Sequence, residues 1–175
     1  PIWVFHGCVW QLVSYSFLHV GILHIAFNML TLWFIGSYLE SAKGSRWLLE
    51  VYFLGAVGGG LLGSILSFTH LFHVDPRVSF IGSDAAVFSL LAAFAVFFGE
   101  LEMYMFPLPL AIKARYLVIV YMLIEIALLL SGGPAPALAC FTILSGALLG
   151  YLYSKRAPRR GFAGAASTHF FDMRN

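Results

Sequence analysis

The sequence predicts an all-α membrane protein, a polytopic helical bundle with five spans in this chain. Three observations carry that expectation. Of 175 residues, 61% are hydrophobic and only 10% are charged, with a mean hydropathy of +0.89. A soluble domain is about 45–50% apolar and about 25% charged. An ordinary cytosolic enzyme is therefore excluded, and so is a disordered or nucleic-acid-binding chain, which needs many more charges. Long stretches also carry no charge at all: none before Glu40, none from Val51 to Val74, none from Ile126 to Ser154. About 20 apolar residues span a bilayer. Finally, the few charges fall between these runs in a one-sided pattern, and the length suits one domain.

The elements follow in order. Residues 1–19 are uncharged, but Trp3, His6, Trp10, Gln11, Ser14, Tyr15 and Ser16 mix aromatic and polar groups. That mix suits the headgroup region, so the segment is read as dipping into one leaflet. Spans are expected at about 20–39, 47–69, 82–99, 115–131 and 137–154. Breakers separate them: Ala42-Lys43-Gly44-Ser45-Arg46, Asp75-Pro76-Arg77, a loop with Pro107 and Pro109, and Gly132-Gly133-Pro134-Ala135-Pro136. Residues 1–155 form the membrane domain, and 156–175 form a basic, then small-residue, tail. Such tails are mobile unless something holds them. The chain opens at Pro1 without an initiator Met or a basic n-region, so an N-terminal piece is expected to be missing.

Charge sets an orientation. With five spans, Lys43, Arg46, Lys113, Arg115, Lys155, Arg156, Arg159, Arg160 and Arg174 share one side, and Arg77 stands alone on the other. The basic side is therefore expected to be cytoplasmic, or its organellar equivalent.

Small residues mark packing. Gly55, Gly59 and Gly63 recur every four residues, as do Gly146 and Gly150. In lipid, close backbone approach replaces the hydrophobic drive between helices, and packing within the chain is preferred over a dimer face. Cys8 and Cys140 show no pairing pattern and read as small buried apolar residues.

Polar residues inside spans are costly and face the bundle interior or a cavity. His24 and Asn28 lie four apart, on one helix face; His19 lies off that face and is placed at the outer mouth. Asp84 opens the third span, where pairing with a group such as His24 would stabilise it. An acid/base dyad of Asp84 with Glu125 is disfavoured, because the two sit at different depths on different helices. His70, His73 and Asp75 make a short outward cluster that reads as a solvated loop, so no metal site is expected.

The spacing of His19, His24 and Asn28 resembles the rhomboid intramembrane serine protease family. Leu39-Glu40 to Arg46, Gly58-Gly59-Gly60, the stretch Phe106 to Arg115 and Gly146 to Gly150 are also similar to it, so the likeness covers about residues 3–155. The resemblance implies a six-helix core, whose first helix would precede Pro1. It implies a serine nucleophile in a G-x-S-G motif, a histidine base in the last helix, and an oxyanion-stabilising role for His24 and Asn28, with His19 as a further retained position of that kind.

Here the first motif reads Gly82-Ser83-Asp84-Ala85, and the last helix reads Thr142-Ile143-Leu144-Ser145-Gly146. Aligned on Gly82 and Gly146, Asp84 and Ile143 occupy the dyad positions, so no catalytic pair is intact. Ser83 is the fallback nucleophile, but one residue along a helix turns a side chain by about 100°. The last two spans hold no histidine, so Ser83 is expected to lack a base. The expectation is a rhomboid-like pseudoprotease without cofactor, surrounded by membrane lipid, that binds other transmembrane segments as a client-binding module or complex subunit. The alternatives are an active protease with an unusual or deliberately mutated site and, ranked last, a transporter or channel, since the sequence lacks an inverted repeat or paired broken helices.

Overall fold

A computed structural model describes residues 2–19, 21–69, 81–105, 110–131 and 134–156. The loop cluster His70, His73 and Asp75, the loop prolines Pro107 and Pro109, Gly132-Gly133 and the tail from 157 onward lie outside the described residues. So does the side chain of Glu125, which leaves the Asp84–Glu125 pairing without a description.

The N-terminal segment forms no spanning helix. It holds two one-turn helices, α1 (Ile2–Phe5) and α2 (Gln11–Ser14), and a 3-10 turn, Tyr15–Phe17. Five longer helices follow: α3 (Ile22–Lys43), α4 (Ser45–Phe68), α5 (Asp84–Phe98), α6 (Ala114–Ser131) and α7 (Pro134–Arg156). By length and composition, Ile22–Lys43, Ser45–Phe68 and Pro136–Arg156 are each sufficient to cross a membrane, and the other two are shorter apolar helices.

The helices run further than the sequence indicated at several ends. The turn after α3 shrinks to Gly44 alone, whose φ of +88° is open to glycine and strained for other residues. Helix α7 starts at Pro134 rather than at 137, because prolines in a first turn forfeit only amides that have no helical partner.

One expectation is corrected. The stretch before the fourth span is more than a loop: β1 (Glu102–Met105) pairs antiparallel with β2 (Leu110–Lys113), with Glu102 opposite Lys113. The two prolines pointed to a turn, but the ladder on either side of it has no apolar alternation strong enough to read from sequence.

Helix α5 is the buried axis. Its residues Ala85 to Phe94 are all buried. At about 1.5 Å per residue, its 15 residues reach about 22 Å, less than the hydrocarbon thickness of about 30 Å. Helices α4 and α7 clamp it through the glycine stripes. A methyl at Gly146 would lie 2.4 Å from the Ala85 carbonyl oxygen, and one at Gly150 would lie 2.3 Å from that of Ser89. From the other side, a methyl at Gly55 would meet Ser89 Cβ at 2.4 Å, and one at Gly59 would meet Ala85 Cβ at 3.0 Å and, on α7, the Thr142 carbonyl at 2.7 Å. These are contacts within the chain, as expected for the small-residue pattern. Ser89 Oγ donates to the Val51 carbonyl at 2.9 Å, which ties α5 to α4. Gly146→Leu should therefore lower the stability of the purified protein by about 3 kcal/mol, the upper range for overpacking, read as a drop in melting temperature in detergent.

The N-terminal segment docks through Tyr15. Its hydroxyl donates to the Ala56 carbonyl at 2.8 Å, and its ring fills the notch that Gly60 leaves in α4. Burial pushes the Tyr15 phenol well above its ordinary range.

The two ends of the bundle differ chemically. At one end, Lys43 Nζ sits 4.1 Å from the centre of the Phe97 ring, and Trp47 packs on Phe97 and Tyr153. Glu100 at the same end takes hydrogen bonds from Lys113 at 2.8 Å and from Arg115. The Lys113 bond, with Arg115 adding to it, holds the Glu100 carboxyl below its usual range. The start of α5 lies at the other end, with His24 and Asn28 beside it.

Candidate functional site

The site is built where α5 begins. Gly82 has a φ of +123°, and a methyl there would lie 2.4 Å from Asp84 Oδ2 and 2.9 Å from His24 Cε1. Glycine is thus required both for the backbone turn and for space. Gly82 N–H donates to the Tyr15 carbonyl at 3.1 Å, so the docked N-terminal segment also fixes this turn. The turn presents Ser83 and Asp84 in different directions, as their spacing on a helix requires.

Asp84 is gripped from α3. His24 Nε2 lies 3.0 Å from both carboxylate oxygens, and Asn28 Nδ2 donates to Oδ1 at 3.0 Å. An ionised carboxylate only accepts, so His24 Nε2 is then the donor. The spacing of four brings both donors onto one face of α3, as expected. Asp84 also stands in the first turn of α5, where the unpaired amides favour negative charge. The carboxylate and imidazole remain partly open, at 26% and 32% side-chain exposure, whereas Asn28 is buried. They face a groove of about 430 Å³ that descends between α3 and α6, with Phe27, Phe34, Leu91, Leu117 and Tyr121 in its walls. Helices α3 and α6 both pack on α5 and barely touch one another, which leaves this side open.

Ser83 is fully buried on the opposite side of the turn. Its Oγ lies 3.2 Å from His19 Nε2, and the His19 ring meets the His24 ring edge-on at 5.2 Å between centroids. This corrects one expectation, that Ser83 has no histidine beside it. His19, expected at the mouth, lies off the shared face of α3 but against His24 and Ser83. Ser83 thus has a histidine neighbour, supplied by the segment before α3 and not by the last helices. On an ideal helix His19 would lie off the face of His24 and Asn28, but α3 starts only at Ile22 and does not include it. No spacing rule could have found the contact, because a non-helical segment aims the ring. His19 Nδ1, in turn, is buried with no hydrogen-bond partner among the described residues. A base of the Ser-His-Asp kind would use that nitrogen to hold its orienting carboxylate, and the nearby carboxylate is committed to His24 and Asn28.

Ile143 is partly buried and packs against the apolar core. Its helix lies against the start of α5, since Gly146 approaches the Ala85 carbonyl and Gly59 approaches both Ala85 and Thr142. Its hydrocarbon side chain has no group that accepts a proton. No cluster of three or more histidine, cysteine, aspartate or glutamate side chains suited to a metal occurs among the described residues.

Comparison with known proteins places these residues in context. A rhomboid domain matches residues 6–160. The rhomboid protease GluP of Bacillus subtilis is 38% identical over 84 residues, which cover 48% of this chain and 15% of that protein. The inactive rhomboid-related protein 2 of Caenorhabditis elegans is 39% identical over 99 residues, covering 54% of this chain and 26% of that protein. The rhomboid protease GlpG of Yersinia pestis is 37% identical over 59 residues, 34% of this chain and 21% of that protein. The aligned stretches thus span about a quarter or less of these relatives, and they include both proteases and a protein named as inactive.

Proposed function

The chain belongs to the rhomboid family, and within that family we propose that it is a catalytically inactive member that binds the transmembrane segment of another protein. The observation that carries this reading is Asp84. A carboxylate held by His24 and Asn28 stands where the resemblance calls for a serine nucleophile. Those two donors would otherwise be available to a developing oxyanion; here they are engaged by a fixed negative charge. That charge would also repel an oxyanion forming beside it. The groove between α3 and α6 supports the binding half of the reading. Its apolar walls run from the polar cluster along the bundle and suit a helix side chain by side chain.

A fluorophosphonate probe tests the inactive half directly. Purified full chain is expected to show no labelling, and stoichiometric labelling at Ser83 would sink the reading. For the binding half, a photo-crosslinker at Leu117, a groove position, should capture transmembrane proteins in native membranes, whereas one at Leu62, on α4 and outside the groove, should not.

A second reading is favoured by one contact, the 3.2 Å approach of His19 to Ser83. It makes Ser83 the nucleophile and His19 its base. The full burial of Ser83 and the unpartnered His19 Nδ1 count against it. If it holds, His19→Ala abolishes probe labelling at Ser83.

We place the basic end of the bundle on the cytoplasmic or equivalent side. The nine-to-one distribution of Lys and Arg supports this. A single cysteine at Arg46, in a background with Cys8→Ala and Cys140→Ala, should react with an impermeant thiol reagent only after the membrane is opened. Reaction in sealed right-side-out vesicles reverses the orientation.

A further inference from the structure

Among the described residues, grooves of similar size open on several sides of the bundle. One lies between α3 and α6 and belongs to the site described above. A second, about 500 Å³, runs between α3 and α4, and the charge it carries is Glu40. The third, about 450 Å³, lies between α6 and α7 over α5. Ile119 and Met122 form one wall, Leu144 and Leu148 the other, and Ala92 and Ala147 the floor. Ile119 and Leu148 on its rim are half exposed, as expected of side chains that face lipid.

This third groove differs from the others in its mouth. Arg115, Tyr151 and Lys155 line it at the basic end of the bundle. Arg115 is held in place: it pairs with Glu100, lies over the Tyr116 ring at 4.9 Å and still leaves 42% of its side chain exposed. Lys155 lies 5.5 Å from the centre of the Tyr151 ring and is exposed. Charge around the mouth does not cancel. Lys113 and Arg115 share the single carboxylate of Glu100, and among the described residues the groove is lined by Arg115 and Lys155 and by no acidic side chain. From Arg115 to Met122, the groove runs about 10 Å along α6, most of the depth of one leaflet at about 15 Å.

We propose that the groove between α6 and α7 seats an acyl chain of an anionic phospholipid, with its phosphate held at the mouth by Arg115 and Lys155. The apolar walls take the chain, and long cationic side chains at a helix end reach the headgroup level. Basic pockets between transmembrane helices select anionic headgroups, and each basic residue near the surface is worth about five-fold in affinity. The groove between α3 and α4, with Glu40, lacks that selectivity.

Native mass spectrometry of the full chain in detergent, titrated with equal amounts of dioleoyl phosphatidylglycerol and dioleoyl phosphatidylcholine, tests this. One phosphatidylglycerol should be retained in preference to phosphatidylcholine. Lys155→Gln should cut that preference about five-fold. Arg46→Gln, at the same end but outside the groove, should leave it intact. Ile119→Trp, on the exposed rim, should occlude the groove and reduce retention of both lipids, with an unchanged melting temperature confirming the fold. Equal retention of the two lipids overturns the proposal. So does an equal loss of preference in the Lys155 and Arg46 variants, because the selectivity would then be diffuse. A chain that retains neither lipid and appears as a dimer assigns the groove to a second copy and also overturns it.

Discussion

Replacing Asp84 by serine together with Ile143 by histidine should make the chain react with a fluorophosphonate probe. The parent offers no serine next to a base at these two positions. In the variant, Asp84→Ser places a hydroxyl at the first residue of α5, within reach of His24 and Asn28. Removing the carboxylate frees those two donors for an oxyanion. Ile143→His puts an imidazole on α7, one turn before Gly146, which touches the start of α5 at Ala85. A positioned base contributes about 10²–10⁴ in rate, so labelling should rise by at least about 100-fold over either single variant. The single variants are the internal controls, since a hydroxyl without a base and a base without a hydroxyl are both inert. If the double variant keeps its fold and stays unlabelled, Asp84 and Ile143 are not the dyad positions. Labelling of the unmodified chain would instead refute its inactivity.

The second large effect is structural. Asp84→Ala should destabilise the protein by about 2–3 kcal/mol, seen as lower resistance to thermal unfolding in detergent. The change strips an acceptor from His24 and from Asn28, and Asn28 is buried. The figure stays at the lower end for a broken charged pair, because His24 and Asp84 are each about a quarter to a third exposed. Asp84→Asn, which keeps one acceptor oxygen, should lose less. A double-mutant cycle with Asn28→Ala should give a coupling of about 1 kcal/mol, and a coupling near zero would mean that the 3.0 Å contact contributes nothing. The same variants separate two roles for the carboxylate. If Asp84→Ala stabilises the chain instead, the charge is retained at a cost to folding, and its purpose lies in binding.

Much of this was legible before any coordinates. Apolar runs bounded by breakers indicated the five long helices, three of them in uncharged stretches and two, α5 and α6, despite Asp84 and Glu125, because charge is costly in lipid and therefore sparse. The glycine spacing correctly indicated contacts inside the chain, since four residues return to the same helix face. The spacing of His24 and Asn28 likewise put both side chains on one face of α3; that this face closes on Asp84 was not in the spacing. Where the reading failed, the cause was non-helical geometry. The short ladder at 102–113 carries no amphipathic alternation, and His19 was judged by a helix that does not include it.

The sequence by itself determined what the chain is made to live in and which residues stand at the positions where the resemblance expects a dyad. Hydropathy, the one-sided charges and the residues Asp84 and Ile143 are local facts, fixed by identity and by position along a helix. Tertiary structure alone decided who meets whom. His19 reaches Ser83, and His24 with Asn28 closes on Asp84, because the N-terminal segment and α3 fold across sixty residues onto one turn. Those pairings depend on distances in space, and a linear periodicity carries no information about contacts between segments so far apart in the chain.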